Sequence, residues 1–209
     1  MNFSPNEYSK WPGITINIII YMFITIFMYL ILKKLLKVEK DKNIKAIILS
    51  FISSITLASL SSVIYIRMYT LSTLNILITT YLHLKLLENK KVSTRLLIAI
   101  GFSALAGSLT HYYYLFYLAG MYLIFAIKYI KEKDYKNLTN YTLTMIIAGI
   151  VSLIIFPHSI QHMFFGYRGQ GVLTNLLNIS NFIGCIGLYL IEFNYYGFNN
   201  LLFIVLCLI

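Results

Sequence analysis

Long apolar runs separated by short polar blocks dominate the pattern of this 209-residue chain. The runs are Ile14–Leu32, Ala46–Ile66, Met68–Leu84, Leu96–Ile127, Leu138–Phe156 and Leu173–Ile191, with a last one that begins near Leu201. A membrane-spanning helix needs about 20 predominantly apolar residues, so all the complete runs but one have the length of a single helix. The pattern predicts an all-α fold, a polytopic transmembrane helix bundle of about seven full spans and a truncated eighth.

The run Leu96–Ile127 is too long for one span. Thr110 and His111 are the strongly polar pair inside it, so we expect a break there, with two short helices that meet at the outer surface. The whole chain, residues 1–209, is expected to form a single transmembrane domain. Small residues every four positions predict close helix packing in lipid. These stripes are Ser50, Ser54, Ala58 and Ser62, and Ala99, Ser103 and Gly107.

The composition supports a membrane protein. Hydrophobic residues make up 59% of the chain and charged residues only 11%, whereas a soluble domain carries about 25% charged residues. The net charge of +10 stands in short blocks between apolar runs, so we expect the lipid bilayer as the partner and no nucleic acid. Cys185 and Cys207 lie inside apolar runs, which favours small buried hydrophobes over a disulfide or a metal site.

The placement of lysine and arginine predicts the orientation. The blocks Lys33–Lys45, Lys85–Arg95 and Lys128–Lys136 hold fourteen of the seventeen basic residues, and pairs of spans place all three blocks on one side. Because basic loops stay in the cytoplasm, we expect a multi-pass protein of the cell (plasma) membrane with an extracytoplasmic N-terminus. The basic residues expected outside are Lys10, Arg67 and Arg168.

Cationic and aromatic side chains gather on this outer face. The candidate substrate-binding residues are Arg67, His111, Tyr112, His162, Tyr167 and Arg168. Glycines around Arg168 free backbone N–H groups, and arginine offers a planar fork that suits phosphate. The alternatives are that Arg67 snorkels to lipid headgroups and that His111 belongs to an interfacial aromatic belt. His158 and His162 share a helical face, but no third ligand is in view, so no metal is expected.

The outer-face residues stand in three local patterns. One pattern is Ile66–Leu71, with Tyr81–Lys85 closing the same helix; the second is Gly107–Tyr113, and the third is Pro157–Gly169. In this order the chain, from about Ser9 to Gly171, resembles bacterial membrane glycosyltransferases of the C-type fold, which are related to protein O-mannosyltransferases.

The resemblance implies that a polyprenyl-phosphate-linked sugar binds from the outer side. It also implies transfer to an acceptor by an acidic residue of the first outer loop, which acts as a general base or holds a divalent metal. The spans and the acidic loop that precede the first span in the family have no counterpart here, and Glu7 is the one carboxylate expected outside. We therefore expect an internal piece of a larger transferase, inactive alone and without its own cofactor. A truncated gene, a split subunit and a misplaced start site are the alternatives, and in the split-subunit case a partner chain supplies the acidic loop.

Two other functions compete with a transferase. One is a non-catalytic membrane protein, either a degenerate paralogue or a partner subunit. The other is a transporter of lipid-linked sugars, which would place ionisable residues near the bilayer midplane. The expected ionisable groups cluster at the ends of spans, which disfavours transport, with Glu192 as the exception.

Overall fold

The computed structural model describes residues 11–37, 40–56, 59–60, 64, 68–88, 92–111 and 113–159, together with residues 178, 180, 183–184 and 187–188. These residues form helices and turns, and no β-strand occurs among them. The helices are α1 (Trp11–Leu35), α2 (Lys42–Ser54), α3 (Tyr69–Glu88), α4 (Thr94–Thr110), α5 (Tyr114–Lys131) and α6 (Tyr135–Ile155). The prediction of an all-α helical bundle is confirmed for the described part of the chain.

Three of these helices, α1, α5 and α6, are long and apolar enough to cross a membrane, with mean hydropathies of 2.3, 1.3 and 1.9. Helix α4 is apolar but has only 17 residues. The described residues are therefore those of a membrane protein with three candidate spans, and the predicted count of about seven plus a truncated eighth is not supported by them. Most of the run Leu173–Ile191, and all of the run from Leu201, lie outside the described residues.

The bundle exposes apolar side chains and buries polar ones. Helix α1 buries only Asn17 and Ile31, and large apolar side chains such as Phe102 on α4 are more than half exposed. Thr79 and His83 of α3, in contrast, are almost completely buried. A soluble monomer rarely exposes so many large apolar side chains, whereas lipid can cover them. This distribution of exposed apolar and buried polar side chains fits a helical bundle that is surrounded by lipid.

The helices pack as a continuous chain of neighbours. Helix α1 packs against α2 and α3, α3 against α4, and α4 against α5 and α6, which also pack against each other. Two apolar clusters fill the interior. The first joins Leu86, Leu97, Ile100, Phe125, Tyr129 and Tyr141, and the second joins Ala104, Tyr114, Leu118 and Ala148. The first cluster draws on the end of α3, the start of α4 and the end of α5, whereas the second includes the start of α5; Met145 of α6 packs against both.

The three basic blocks come together at one end, which we call the basic end. Lys34 and Lys37, at and just after the end of α1, form ion pairs with Glu88 at the end of α3. The first apolar cluster joins the end of α3 to the start of α4 and the end of α5, through residues such as Leu97 and Tyr129. The sequence pattern therefore predicts correctly that the blocks share one side of the protein.

The expected break inside Leu96–Ile127 is confirmed. Helix α4 ends at Thr110, His111 has extended backbone angles (φ −156°, ψ 132°), and α5 begins at Tyr114. The chain turns back so tightly that the Tyr114 ring lies directly on Gly107, where a Cβ atom would overlap it. Because Gly107 has no side chain, the Tyr114 ring can pack against it, and this contact permits the chain to reverse its direction.

The predicted span Ala46–Ile66 is not one continuous helix, because α2 ends at Ser54; most of residues 57–66 lie outside the described residues. Hydroxyl groups compete with the helical hydrogen bonds there. Ser53 Oγ donates to the Ser50 carbonyl at 2.8 Å and Ser59 Oγ to the Ser53 carbonyl at 3.0 Å, while Thr56 Oγ1 accepts from the Ser59 N–H at 3.3 Å. Such local bonds offer the backbone an alternative to the helix. Apolar content alone predicts a longer helix than this serine-rich segment forms.

Candidate functional site at the end opposite the lysines

His111 lies in the turn between α4 and α5, at the end of the bundle opposite the basic end. Its N–H donates to the Gly107 carbonyl at 3.1 Å, and its own carbonyl accepts from the Tyr114 N–H at 3.0 Å. The side chain is buried, with 8% of its surface exposed. The backbone on both sides therefore holds the imidazole in a fixed position.

The hydrogen bonds and burial of His111 indicate a neutral ring. The Tyr113 N–H donates to Nδ1 at 3.1 Å, so Nδ1 is the acceptor and the neutral ring carries its proton on Nε2. Burial lowers the pKa of His111, because removal from water disfavours the charged form. The sequence led us to group His111 with the outer cations. The structure corrects this: near neutral pH, His111 contributes a hydrogen-bond donor rather than a positive charge.

Aromatic rings flank His111 and connect it to α3. Its ring stacks on Tyr113 with centroids 5.0 Å apart and lies 5.5 Å from the Tyr69 centroid. Below this contact, Asn75 Nδ2 of α3 donates to Thr110 Oγ1 at 3.2 Å. Tyr69 belongs to the pattern Ile66–Leu71, and His111 to the pattern Gly107–Tyr113. Two of the three patterns that the sequence singled out are therefore in contact.

The third pattern begins at Pro157, just after the end of α6. Because α6 packs against α4 and runs in the direction opposite to α5, this segment starts at the His111 end of the bundle. Ser159 is buried there; its N–H donates to the Phe156 carbonyl at 3.1 Å, and its Oγ has no hydrogen-bond partner among the described residues. A buried hydroxyl of this kind can bind a polar group of a ligand.

Of the six candidate site residues, the described part of the chain contains only His111. Arg67, Tyr112, His162, Tyr167 and Arg168 lie outside the described residues. Among the described residues, no three His, Cys, Asp or Glu side chains come together in a group that could hold a metal ion.

A buried polar stripe on α3 was not predicted from the sequence. Thr79 Oγ1 lies 2.6 Å from Ser103 Oγ and 2.5 Å from the Tyr114 hydroxyl. One turn later, His83 Nδ1 bonds to the Thr79 carbonyl at 2.8 Å and Nε2 to the Tyr141 hydroxyl at 2.9 Å. Since a carbonyl only accepts, Nδ1 carries the proton and Tyr141 donates to Nε2. Asn75, Thr79 and His83 are four residues apart, a spacing that could have revealed the stripe.

Apolar grooves run along the bundle beside α6. A groove of about 600 Å³ lies between α4 and α6, and its lining includes Leu97, Gly101, Leu105 and Leu143. A second groove of about 340 Å³ lies between α5 and α6 and reaches Ser108, three residues before His111. Both grooves are mainly apolar, so they suit hydrocarbon chains rather than polar ligands.

The comparisons with known proteins give no relative for this chain: no family model, no curated protein and no solved structure matches it.

Proposed function

We propose that this chain is a membrane glycosyltransferase-like protein that binds a polyprenyl-phosphate-linked sugar at the His111 end of the bundle. The contact between Tyr69 and His111 carries the proposal, because it joins the Ile66–Leu71 pattern to the Gly107–Tyr113 pattern. Arg67 is two residues from Tyr69 along the chain, and we propose that its charge acts at this end. A phosphate there would meet an arginine and a histidine N–H donor.

In this proposal the His111 end faces the outside of the cell and the N-terminus is extracytoplasmic. The gathering of lysines at the opposite end supports this orientation through the positive-inside rule. Helices α3 and α4 are proposed to cross the membrane as well. The hydropathy of α3 is lowered by Asn75, Thr79 and His83, which face other helices instead of lipid. An interior helix can carry such side chains because its neighbours satisfy their hydrogen bonds.

The grooves beside α6 are proposed to receive the prenyl chain. The groove that includes Ser108 and Gly149 leads from the His111 end along α6, and its lining is mainly apolar. A phosphate bound near His111 would thus have its hydrocarbon tail below it, within the membrane. Each methylene group moved from water to such a surface contributes about 0.8 kcal/mol, but a groove that competes with lipid contributes far less. We therefore assign the specificity of binding to the headgroup.

Sugar transfer is a separate step from donor binding. It needs a general base or a metal-binding carboxylate beside the acceptor, which the resemblance places in an outer acidic loop. We propose that a partner chain supplies that loop. Transport of the lipid-linked sugar has less support, because His83, a histidine that the described helices bury, is hydrogen-bonded through both ring nitrogens. Its hydrogen bonds to Thr79 and Tyr141 suit a structural link between helices better than a place in a transport pathway.

Donor binding to arginine variants tests the proposal. The purified full chain in detergent would be titrated with a polyprenyl-phosphate-linked sugar, and with the uncharged polyprenol of the same length. Arg168→Gln and Arg67→Gln should each weaken donor binding by about 1.5–3 kcal/mol, the usual contribution of a hydrogen bond to a charged group. This corresponds to a loss of donor affinity of roughly 10- to 150-fold. The affinity for the polyprenol should stay unchanged.

The matched control is Arg95→Gln, which removes an exposed arginine at the basic end. It should leave donor affinity unchanged. Equal affinities for all three variants, or equal losses for the donor and the polyprenol, would refute a phosphate site at the His111 end. They would leave Arg67 and Arg168 as residues that contact lipid headgroups.

A further inference from the structure

Three lysines and one carboxylate meet at the basic end, where α1 and α3 finish side by side. We call this group the lysine cluster. Its members are Lys34, Lys37, Lys85 and Glu88. It lies at the end of the bundle opposite His111 and has no part in the proposed donor site.

Glu88 is the only negative member of the lysine cluster, and it is shared. It forms ion pairs with both Lys34 and Lys37, so neither lysine has a carboxylate of its own within the cluster. Lys85 has no ion pair with any described residue and lies instead over the Tyr81 ring, 4.7 Å from its centroid. The cluster therefore carries far more positive than negative charge.

Tyr81 brings two of these cations together. Lys34 Nζ lies 5.5 Å from the centre of the ring that Lys85 also contacts. Cation–π attraction holds each ammonium group there, while two like charges near one ring repel each other. A single anion within reach of both would reduce this repulsion and accept hydrogen bonds from both. The arrangement therefore favours a negatively charged group.

The surroundings of the cluster identify the source of that group. Lys34 and Lys37 stand at and just after the end of α1, a candidate membrane span, and the end of a spanning helix meets the lipid headgroups. Leu35 and Leu87, which flank the cluster, expose 63% and 47% of their surfaces. Tyrosine next to lysine at a helix end is typical of the membrane interface. A soluble anion would gain nothing from the apolar neighbours, whereas a phospholipid would use both parts of the surface.

We propose that the lysine cluster binds the anionic headgroup of a membrane phospholipid, with its acyl chains along the exposed Leu35 and Leu87. Lys34 and Lys85 hold the phosphate over Tyr81. Glu88 competes with the lipid for Lys34 and Lys37. The fraction of chains with a bound phospholipid therefore depends on how strongly this carboxylate retains the two lysines.

Lipid titration of the full chain in detergent, followed by native mass spectrometry, tests this proposal. Phosphatidylglycerol should bind more tightly than phosphatidylcholine with the same acyl chains. Near a membrane surface each lysine contributes about 1 kcal/mol to attraction of an anionic lipid. Lys34→Gln with Lys85→Gln should therefore weaken phosphatidylglycerol binding roughly 25-fold, about fivefold for each lysine. Glycerol phosphate, which has the headgroup without acyl chains, should not compete.

Two further variants distinguish the cluster from general surface charge. Lys131→Gln with Lys136→Gln removes equal charge from exposed positions at the same end and should leave the affinity nearly unchanged. Glu88→Gln should tighten phosphatidylglycerol binding, because it releases Lys34 and Lys37. If the ion pairs were purely structural, this substitution would give no gain in lipid affinity. Equal affinity for both lipids, or equal losses in the two double variants, would overturn the proposal. Competition by glycerol phosphate would instead assign the cluster to a soluble anion and equally overturn it. None of these results bears on donor binding at the other end.

Discussion

The most direct test of the fold concerns Gly107, the residue against which α5 turns back. The Tyr114 ring lies where a Cβ atom at position 107 would be, and this ring is 1% exposed. The Tyr114 hydroxyl bonds to Thr79 Oγ1 at 2.5 Å and to the Ser103 carbonyl at 3.3 Å. In Gly107→Ala the added methyl group must displace the ring, and the ring can move only by loosening these bonds.

The expected loss of stability follows from three contributions. Overpacking of a buried site costs about 1–3 kcal/mol, and each weakened hydrogen bond about 0.5–1.5 kcal/mol. Alanine is the better helix former by about 0.5–1 kcal/mol, which offsets part of this. We expect Gly107→Ala to lower the free energy of unfolding by about 1.5–4 kcal/mol. For a chain of this size that lowers Tm by roughly 5–12 °C.

Thermal unfolding in detergent, followed by circular dichroism, measures this effect. Gly120→Ala is the matched control, since its added Cβ meets no atom of another described helix within 4 Å, and it should be neutral or slightly stabilising. Tyr114→Leu should make room for the methyl group. In a double-mutant cycle, Gly107→Ala should therefore cost much less in the Tyr114→Leu background. Equal Tm values for Gly107→Ala and Gly120→Ala would refute the close contact of α5 with α4.

Three further outcomes are expected. Tyr141→Phe removes the donor to His83 and should cost about 1–3 kcal/mol of stability; the same loss in exposed Tyr135→Phe would contradict the role of that bond. With native cysteines replaced, a cysteine at Gln170 should react with a membrane-impermeant thiol reagent in intact cells and one at Asn43 only after lysis; the reverse pattern would contradict the proposed orientation. Because burial lowers the pKa of His111, the unfolded chain binds more protons below about pH 6.5, so stability should fall on acidification. His111→Gln should flatten this dependence of Tm on pH, and an unchanged slope would show that His111 does not contribute.

Much of the architecture follows from the sequence by itself. Apolar runs and sparse charge predict helices in a membrane, since neither depends on which helices become neighbours. The polar pair Thr110 and His111 predicts the end of one helix and the start of another. Lysine placement likewise predicts a shared basic end, because antiparallel neighbours with short loops place alternate ends together.

Other features depended on the tertiary structure. The end of α2 at Ser54 comes from hydroxyl–carbonyl bonds that apolar content does not register. The sequence shows His83 as one polar residue in an apolar run, while its partner Tyr141 lies 58 positions away and is brought close only by folding. His111 is neutral because the bundle buries it and Tyr113 donates to Nδ1. Local composition sets where helices form and which end is basic, whereas the protonation and pairing of buried polar groups depend on neighbours that only the folded chain supplies.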